Sequence, residues 1–198
     1  MHTEKETQAL LSLLWMLASD PRMLVLFALL VVASISDCRS YRIPNWLTFG
    51  GALFALLSAM LMARTPGTGA LQALSGLAIG FVLLLPFYVM RVMGAGDVKL
   101  MAMVGAFLGA AAVFQAVLLS FIASGVVALA YAIYHRKLLR MLGNVKTAAQ
   151  GLVMAGMAGM ATTPTETDRR QSVGKLPFAL CIGAGTLAQV VAAQLGYL

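Results

Sequence analysis

Long apolar runs separated by short polar punctuation dominate this chain. A helix needs about 20 apolar residues to cross roughly 30 Å of hydrocarbon, and that requirement selects the candidate spans. The first runs from Met23 to Ser36, with room to extend back past Pro21, and polar Asp37-Cys-Arg-Ser-Tyr-Arg42 follows it. The second runs from Trp46 to Met62, just after Pro44, a residue suited to a first helical turn. Pro66, Gly67 and Gly69 are turn residues and predict a loop over 64–69. The third span covers about Leu71 to Met93. After Gly94-Ala-Gly-Asp-Val-Lys99, the stretch from Leu100 to Tyr134 is almost unbroken apolar sequence. As one helix it would be about 50 Å long, too long for an ordinary crossing. A break near Gly109 to Val113 therefore divides it into a short fourth span and a longer fifth. His135 to Lys175 is a long polar connection. Inside it Ala148 to Ala161 is mildly apolar and could be loop, re-entrant or spanning. The last span covers about Leu176 to Leu195. The pattern predicts an all-α, polytopic membrane protein of about six transmembrane helices in a single membrane-embedded domain, residues 1–198.

Composition agrees. Of 198 residues, 61% are apolar and only 11% charged, against about 25% charged in a soluble domain. Lipid is the simplest solvent that tolerates such a deficit. The formal net charge of +7 could suggest nucleic acid, but no basic face with interleaved aromatics exists. The charges lie between the apolar runs, where they set topology and contact anionic lipid headgroups. With six spans and the start of the chain outside, eleven of the fourteen Lys and Arg residues fall on the cytoplasmic side. Residues 135–175 then form a basic cytoplasmic loop. Residues 1–22 carry Glu4 and Glu6 rather than a basic cluster and are read as an interfacial lead, not a signal peptide. Cys38 and Cys181 are far apart and form no C-x-x-C pair, so zinc and redox motifs are unsupported. The thirteen methionines are read as adaptable apolar filler. Gly76 and Gly80, like Gly105 and Gly109, are four apart, a spacing that lets helix backbones approach closely in lipid.

Few acids remain to carry chemistry. Glu4, Glu6 and Asp20 lie in the lead, and Glu166 and Asp168 lie in the long loop. Asp37 and Asp97 are the two that border predicted spans, and carboxylates at membrane depth point to function. Topology puts both at the same face, Asp37 at the end of the first span and Asp97 between the third and fourth. Two nearby carboxylates share a proton, leaving one acid and one base that titrate as a unit. The base can activate water while the acid protonates a peptide carbonyl. Gly94 and Gly96 leave the backbone free to bend and give room for a substrate strand. Blander roles exist for each residue. Asp97 could be an N-cap, Asp37 a helix-end acid paired with Arg39 or Arg42, and Lys99 a positive-inside anchor rather than a group that holds substrate. Gly94 to Lys99 matches no phosphate-binding loop. His2 and His135 have no ligand partners nearby, which argues against a histidine-based metal site and a serine triad.

Two segments together resemble the type IV prepilin peptidases, Gly-x-Gly-Asp intramembrane aspartic proteases. The first is Asp37-Cys-Arg-Ser-Tyr-Arg-Ile-Pro-Asn45. The second is Gly94-Ala-Gly-Asp-Val-Lys-Leu100, continued to Gly105, Leu108 and Gly109. The resemblance implies cleavage of the leader of prepilin or pseudopilin proteins at the cytoplasmic face of the bacterial inner membrane. It implies Asp37 and Asp97 as the catalytic pair, with Arg42, Pro44, Asn45, Gly94, Gly96 and Lys99 in the motif region and no metal or other cofactor. Larger family members carry a cytoplasmic insertion with paired cysteines, linked to N-methylation. Neither is present between the first two spans here, and the small format is similar to peptidases of tight-adherence (Flp-type) pilus systems. Two other readings stay open: a proton-coupled transporter or channel using the two aspartates as a relay, and a non-catalytic pilus or secretion assembly factor.

Overall fold

A computed structural model describes residues 20–90, 93–134 and 178–196. All regular structure among them is helical: α1 Pro21–Ser40, α2 Asn45–Met62, α3 Pro66–Val89, α4 Ala95–Leu108, α5 Ala110–Tyr134 and α6 Phe178–Gln194. Helices α1, α2, α3 and α5 are long and apolar enough to cross a membrane, whereas α6 is a shorter apolar helix. The chain divides into two compact units, residues 1–123 with 177–198, and residues 124–176. The described part of the second is the end of α5. The predicted interfacial lead, except its last residues, and the basic loop with Ala148 to Ala161 lie outside the described residues.

Local signals explain the helix ends. Asp20 caps α1, its carboxylate accepting the Arg22 N–H at 3.0 Å, and Pro21 suits the first turn. The C-terminal cap of α1 is Tyr41, in the left-handed region at φ 51°. Its N–H closes on the Asp37 carbonyl at 2.9 Å. The first span therefore runs four residues past Ser36, and Asp37 lies inside its last turn. The third helix differs more from expectation. It begins at Pro66, so Gly67 and Gly69 sit in its first turn rather than in a loop. Proline fits that position because its missing N–H would have no partner there anyway. Gly69 is needed for packing: a Cβ on it would overlap the Ala59 carbonyl of α2. At its other end α3 stops at Val89, short of Met93. The predicted break of the long apolar run falls at Gly109, with φ 85°.

Packing follows small residues. Gly76 and Gly105 face each other across α3 and α4, each occupying the space a Cβ on the other would need. One turn on, a Cβ on Gly80 would lie 2.6 Å from the Met101 carbonyl oxygen. The two helices are thus antiparallel and in backbone contact, the use of small residues that packing in lipid favours. Helix α2 runs parallel to α4, with Gly51 against Met103 and the Phe54 and Phe107 rings 6.1 Å apart. Helix α6 lies antiparallel to α1 and presses Gly185 onto Ser120 of α5. Nine of the fourteen residues of α4 are buried, including Leu100, Met101, Met103 and Val104, so α4 is the centre of the core.

Candidate active site

The end of the bundle where α1 and α3 finish and α2, α4 and α6 begin gathers all the predicted site residues. Asp37, in the last turn of α1, is 7% exposed. Its carboxylate accepts a hydrogen bond from the Ala179 N–H at 3.1 Å. That N–H belongs to the first turn of α6, where backbone donors have no helical partner. Asp97 is half-buried in the first turn of α4. It is not the N-cap: Gly94 holds that position, and Asp97 reaches back so that its carboxylate accepts the Gly94 N–H at 3.3 Å. This is the acidic half of a capping box. The two carboxylates are close enough for their charges to interact. Sixty residues of sequence thus separate two acids that share one electrostatic environment. The buried Cys181 thiol, one turn into α6, lies within electrostatic reach of both.

The motif residues hold these two helix ends in register. Gly96 packs under Ile43, a Cβ on the glycine lying only 3.3 Å from the Ile43 Cβ. Pro44 is extended, φ −62° and ψ 135°, and stands at the N-cap of α2. The Asn45 side-chain oxygen accepts a 3.0 Å hydrogen bond from the Lys99 ammonium, which also sits 5.4 Å from the centroid of the Phe49 ring. Lys99 is thereby tied to α2. The Arg42 carbonyl accepts the Ser36 hydroxyl at 2.8 Å, fastening the α1–α2 turn back onto α1, while the Arg42 side chain is exposed.

Sequence reasoning placed the last span over α6 but did not bring it to Asp37. A backbone N–H on an alanine leaves no sequence signature, so Ala179 could not be picked out as the partner of Asp37. Ile43 and Phe49 were likewise hidden, since an apolar residue beside a motif is indistinguishable from filler.

A family model described as the type IV leader peptidase family matches residues 24–132, a span that takes in both acidic motifs. Comparison with curated proteins and with solved structures gave no match.

Proposed function

This chain belongs to the type IV leader peptidase family, and on that premise we propose that it is an aspartic endopeptidase whose catalytic pair is Asp37 and Asp97. The observation that carries the proposal is the placement of these two acids at one end of the bundle, within reach of each other's charge and each held by a backbone N–H. With one proton between them, the ionised carboxylate takes a proton from water as the water oxygen attacks the scissile carbonyl. The protonated carboxyl gives its proton to the carbonyl oxygen. As the tetrahedral species collapses and the C–N bond breaks, one of its hydroxyls returns a proton to the second carboxylate, and the leaving amine takes up the proton the first carboxylate gained. Both acids begin the cycle again with one proton shared.

The substrate we propose is the leader of an Flp-type prepilin or of a type II secretion pseudopilin, cut at the cytoplasmic face of the inner membrane. The charge bias of the connecting segments supports that side. The Lys99 to Asn45 bond supports a role for both residues in fixing α2 against α4, and Gly96 supports the same packing by admitting the Ile43 side chain beside Asp97.

The test is co-expression of a candidate prepilin with wild type, Asp37→Asn or Asp97→Asn at matched membrane levels. Each substitution is expected to lower cleavage by about 10²- to 10⁴-fold. Cleavage that survives either one would sink the aspartyl mechanism.

A further inference from the structure

Residues 24–132 carry the family match, and α6 lies beyond it. Yet α6 supplies the donor that holds Asp37. The Ala179 N–H meets one carboxylate oxygen of Asp37 at 3.1 Å, with Ala179 fully buried and Asp37 nearly so. Ala179 is the second residue of a 17-residue helix. Its N–H therefore has no partner within the helix and carries part of the positive end of the helix dipole. The height of α6 is set from outside the site. A Cβ on Gly185 would overlap the Ser120 backbone of α5, and further along α6 the Gln189 amide donates to the Gln115 side chain at 3.3 Å. Two contacts with α5 thus fix where the Ala179 N–H sits.

An amide N–H can only donate. Its bond to a carboxyl group is strongest when the carboxyl is ionised, and in a buried setting water neither screens nor replaces it. A carboxylate as enclosed as Asp37 keeps its charge only when such donors stand in for water. Asp97 is held differently. Its donor, the Gly94 N–H, belongs to its own capping box, lies 3.3 Å away and is exposed. Water competes with that longer bond, so it favours the charged form less. Among the helices packed against α1, α2 brings no titratable group and α6 brings Cys181. Helix α4 brings Asp97 itself and Lys99, whose ammonium is engaged by Asn45. Arg39 shares the last turn of α1 with Asp37 and adds positive charge on that side. We propose that α6 is the positioning element of the site: its first turn holds Asp37 as the ionised carboxylate that takes the proton from water, and leaves Asp97 as the carboxyl that protonates the scissile carbonyl. The proposal rests on the cleavage reading above and deepens it by assigning the two roles. Ala179 acts through Asp37, and Ser120, Gly185, Gln115 and Gln189 act through Ala179.

The test deletes one N–H. Nonsense suppression with lactic acid in place of Ala179 exchanges that N–H for an ester oxygen and keeps the methyl side chain. The dependence of kcat/KM on pH is then measured in detergent with a prepilin-type protein that wild type cleaves. The acid limb reports the base gaining a proton, and the basic limb reports the acid losing one. With Asp37 as the base, the N–H stabilises the active form and the fully ionised form alike. Its removal is expected to move the acid limb up by about one to two pH units and to leave the basic limb in place. With Asp37 as the acid, only the fully ionised form would feel the N–H, and the basic limb would move instead. Movement of the basic limb, or a lower plateau with both limbs in place, would overturn the proposal. The same exchange at exposed Ala188, further along α6, is the control. It weakens the helix and should move neither limb. A second measurement needs no ester and no turnover. In wild-type protein carrying isotope-labelled alanine, the Ala179 amide proton is followed by NMR, its resonance assigned through Ala179→Gly. It should shift across the lower of the pair's two titrations and stay still across the upper, and the reverse would overturn the assignment. Failure of the cleavage reading looks different: Asp37→Asn and Asp97→Asn would go on cleaving, while the Ala179 amide would still titrate with Asp37.

Discussion

Adding one methyl group at Gly105 is expected to cost this protein both stability and activity. A Cβ there would lie 2.6 Å from the Gly76 carbonyl carbon and 3.2 Å from the Leu77 nitrogen. Carbon atoms in contact need about 3.5 Å. Both neighbours are backbone atoms, so no rotamer change relieves the overlap, and α3 and α4 must part by about 1 Å. Overpacking of this kind costs about 1–3 kcal/mol. The same displacement reaches the site, since Asp97 stands two turns up α4 from Gly105, and a misplacement of about 1 Å can cost on the order of 10²-fold in rate. The assay is leader cleavage in membranes at matched protein levels, alongside thermal unfolding in detergent. Gly76→Ala should behave like Gly105→Ala. The double variant should cost less than the sum, because helices already parted have room for the second methyl. Gly50→Ala is the control: a Cβ there meets nothing within 4 Å, and alanine in a helix is favoured over glycine by about 0.5–1 kcal/mol. Gly105→Ala with wild-type cleavage and unfolding would refute the claim that this contact sets the position of α4.

Two further pairs are open to double-variant cycles. Lys99→Met and Asn45→Ala each break the 3.0 Å bond between α2 and α4. Each is expected to lower cleavage by a similar few-fold factor, with the double variant no worse than either single, a coupling of about 0.5–1.5 kcal/mol. Additive losses would instead mean that Lys99 acts on substrate independently of Asn45. In the opposite half of the bundle, the Gln189 amide donates to the Gln115 side-chain oxygen at 3.3 Å. Gln189→Leu should destabilise by roughly 0.6–1.7 kcal/mol, measured by thermal unfolding. Adding Gln115→Leu should recover most of that loss, because no polar group is then left unpaired in an apolar setting.

Much of the helix plan was legible because the bilayer imposes a length scale on sequence. The second span was placed to within one residue, and the break in the long apolar run fell at the residue where an apolar helix of about 50 Å could not continue. The misplaced start of α3 has a physical cause. Proline and glycine over 64–69 read as a loop because, in isolation, they favour turns. Yet proline is also the natural first residue of a helix, and Gly69 is there to admit the Ala59 carbonyl, a requirement visible only once α2 and α3 are packed. The acids were legible for a different reason: ionisable groups beside membrane spans are scarce, so elimination left two. What held them was not legible. The Ala179 N–H that meets Asp37 lies 142 residues away and belongs to the backbone, where sequence carries no information. Lys99 was legible as a charge but not as the partner of Asn45, since helical spacing within α4 says nothing of contacts with α2.

The shortness of α4 accounts for the architecture of the proposed site. Its fourteen residues extend about 21 Å, too short to cross roughly 30 Å of hydrocarbon. It ends at Gly109 beside Gln72, only six residues into α3, so its last carbonyls fall at membrane depth. Irregular backbone is tolerated there only when protein encloses it. Enclosure is what α4 has: most of it is buried, whereas the longer candidate spans are at most 28% buried. The turn closes its own bonds, with Gly109 N–H to the Gly105 carbonyl at 2.8 Å and Val113 N–H to the Gly109 carbonyl at 3.1 Å. The most enclosed helix of the bundle therefore carries Asp97, backed by α2 and α3 and unable to face lipid along most of its length. Asp37 stands on the opposite footing, on a helix whose Val31 and Ile35 are exposed and whose partner α6 exposes Leu180 and Leu187. One acid is mounted on a fixed post and the other on the lipid-facing wall. The first turn of α4 is the exception to its enclosure, with Gly94 and Ala95 exposed and Asp97 half-buried, so the pair opens at that end of the bundle and not along the buried length of α4.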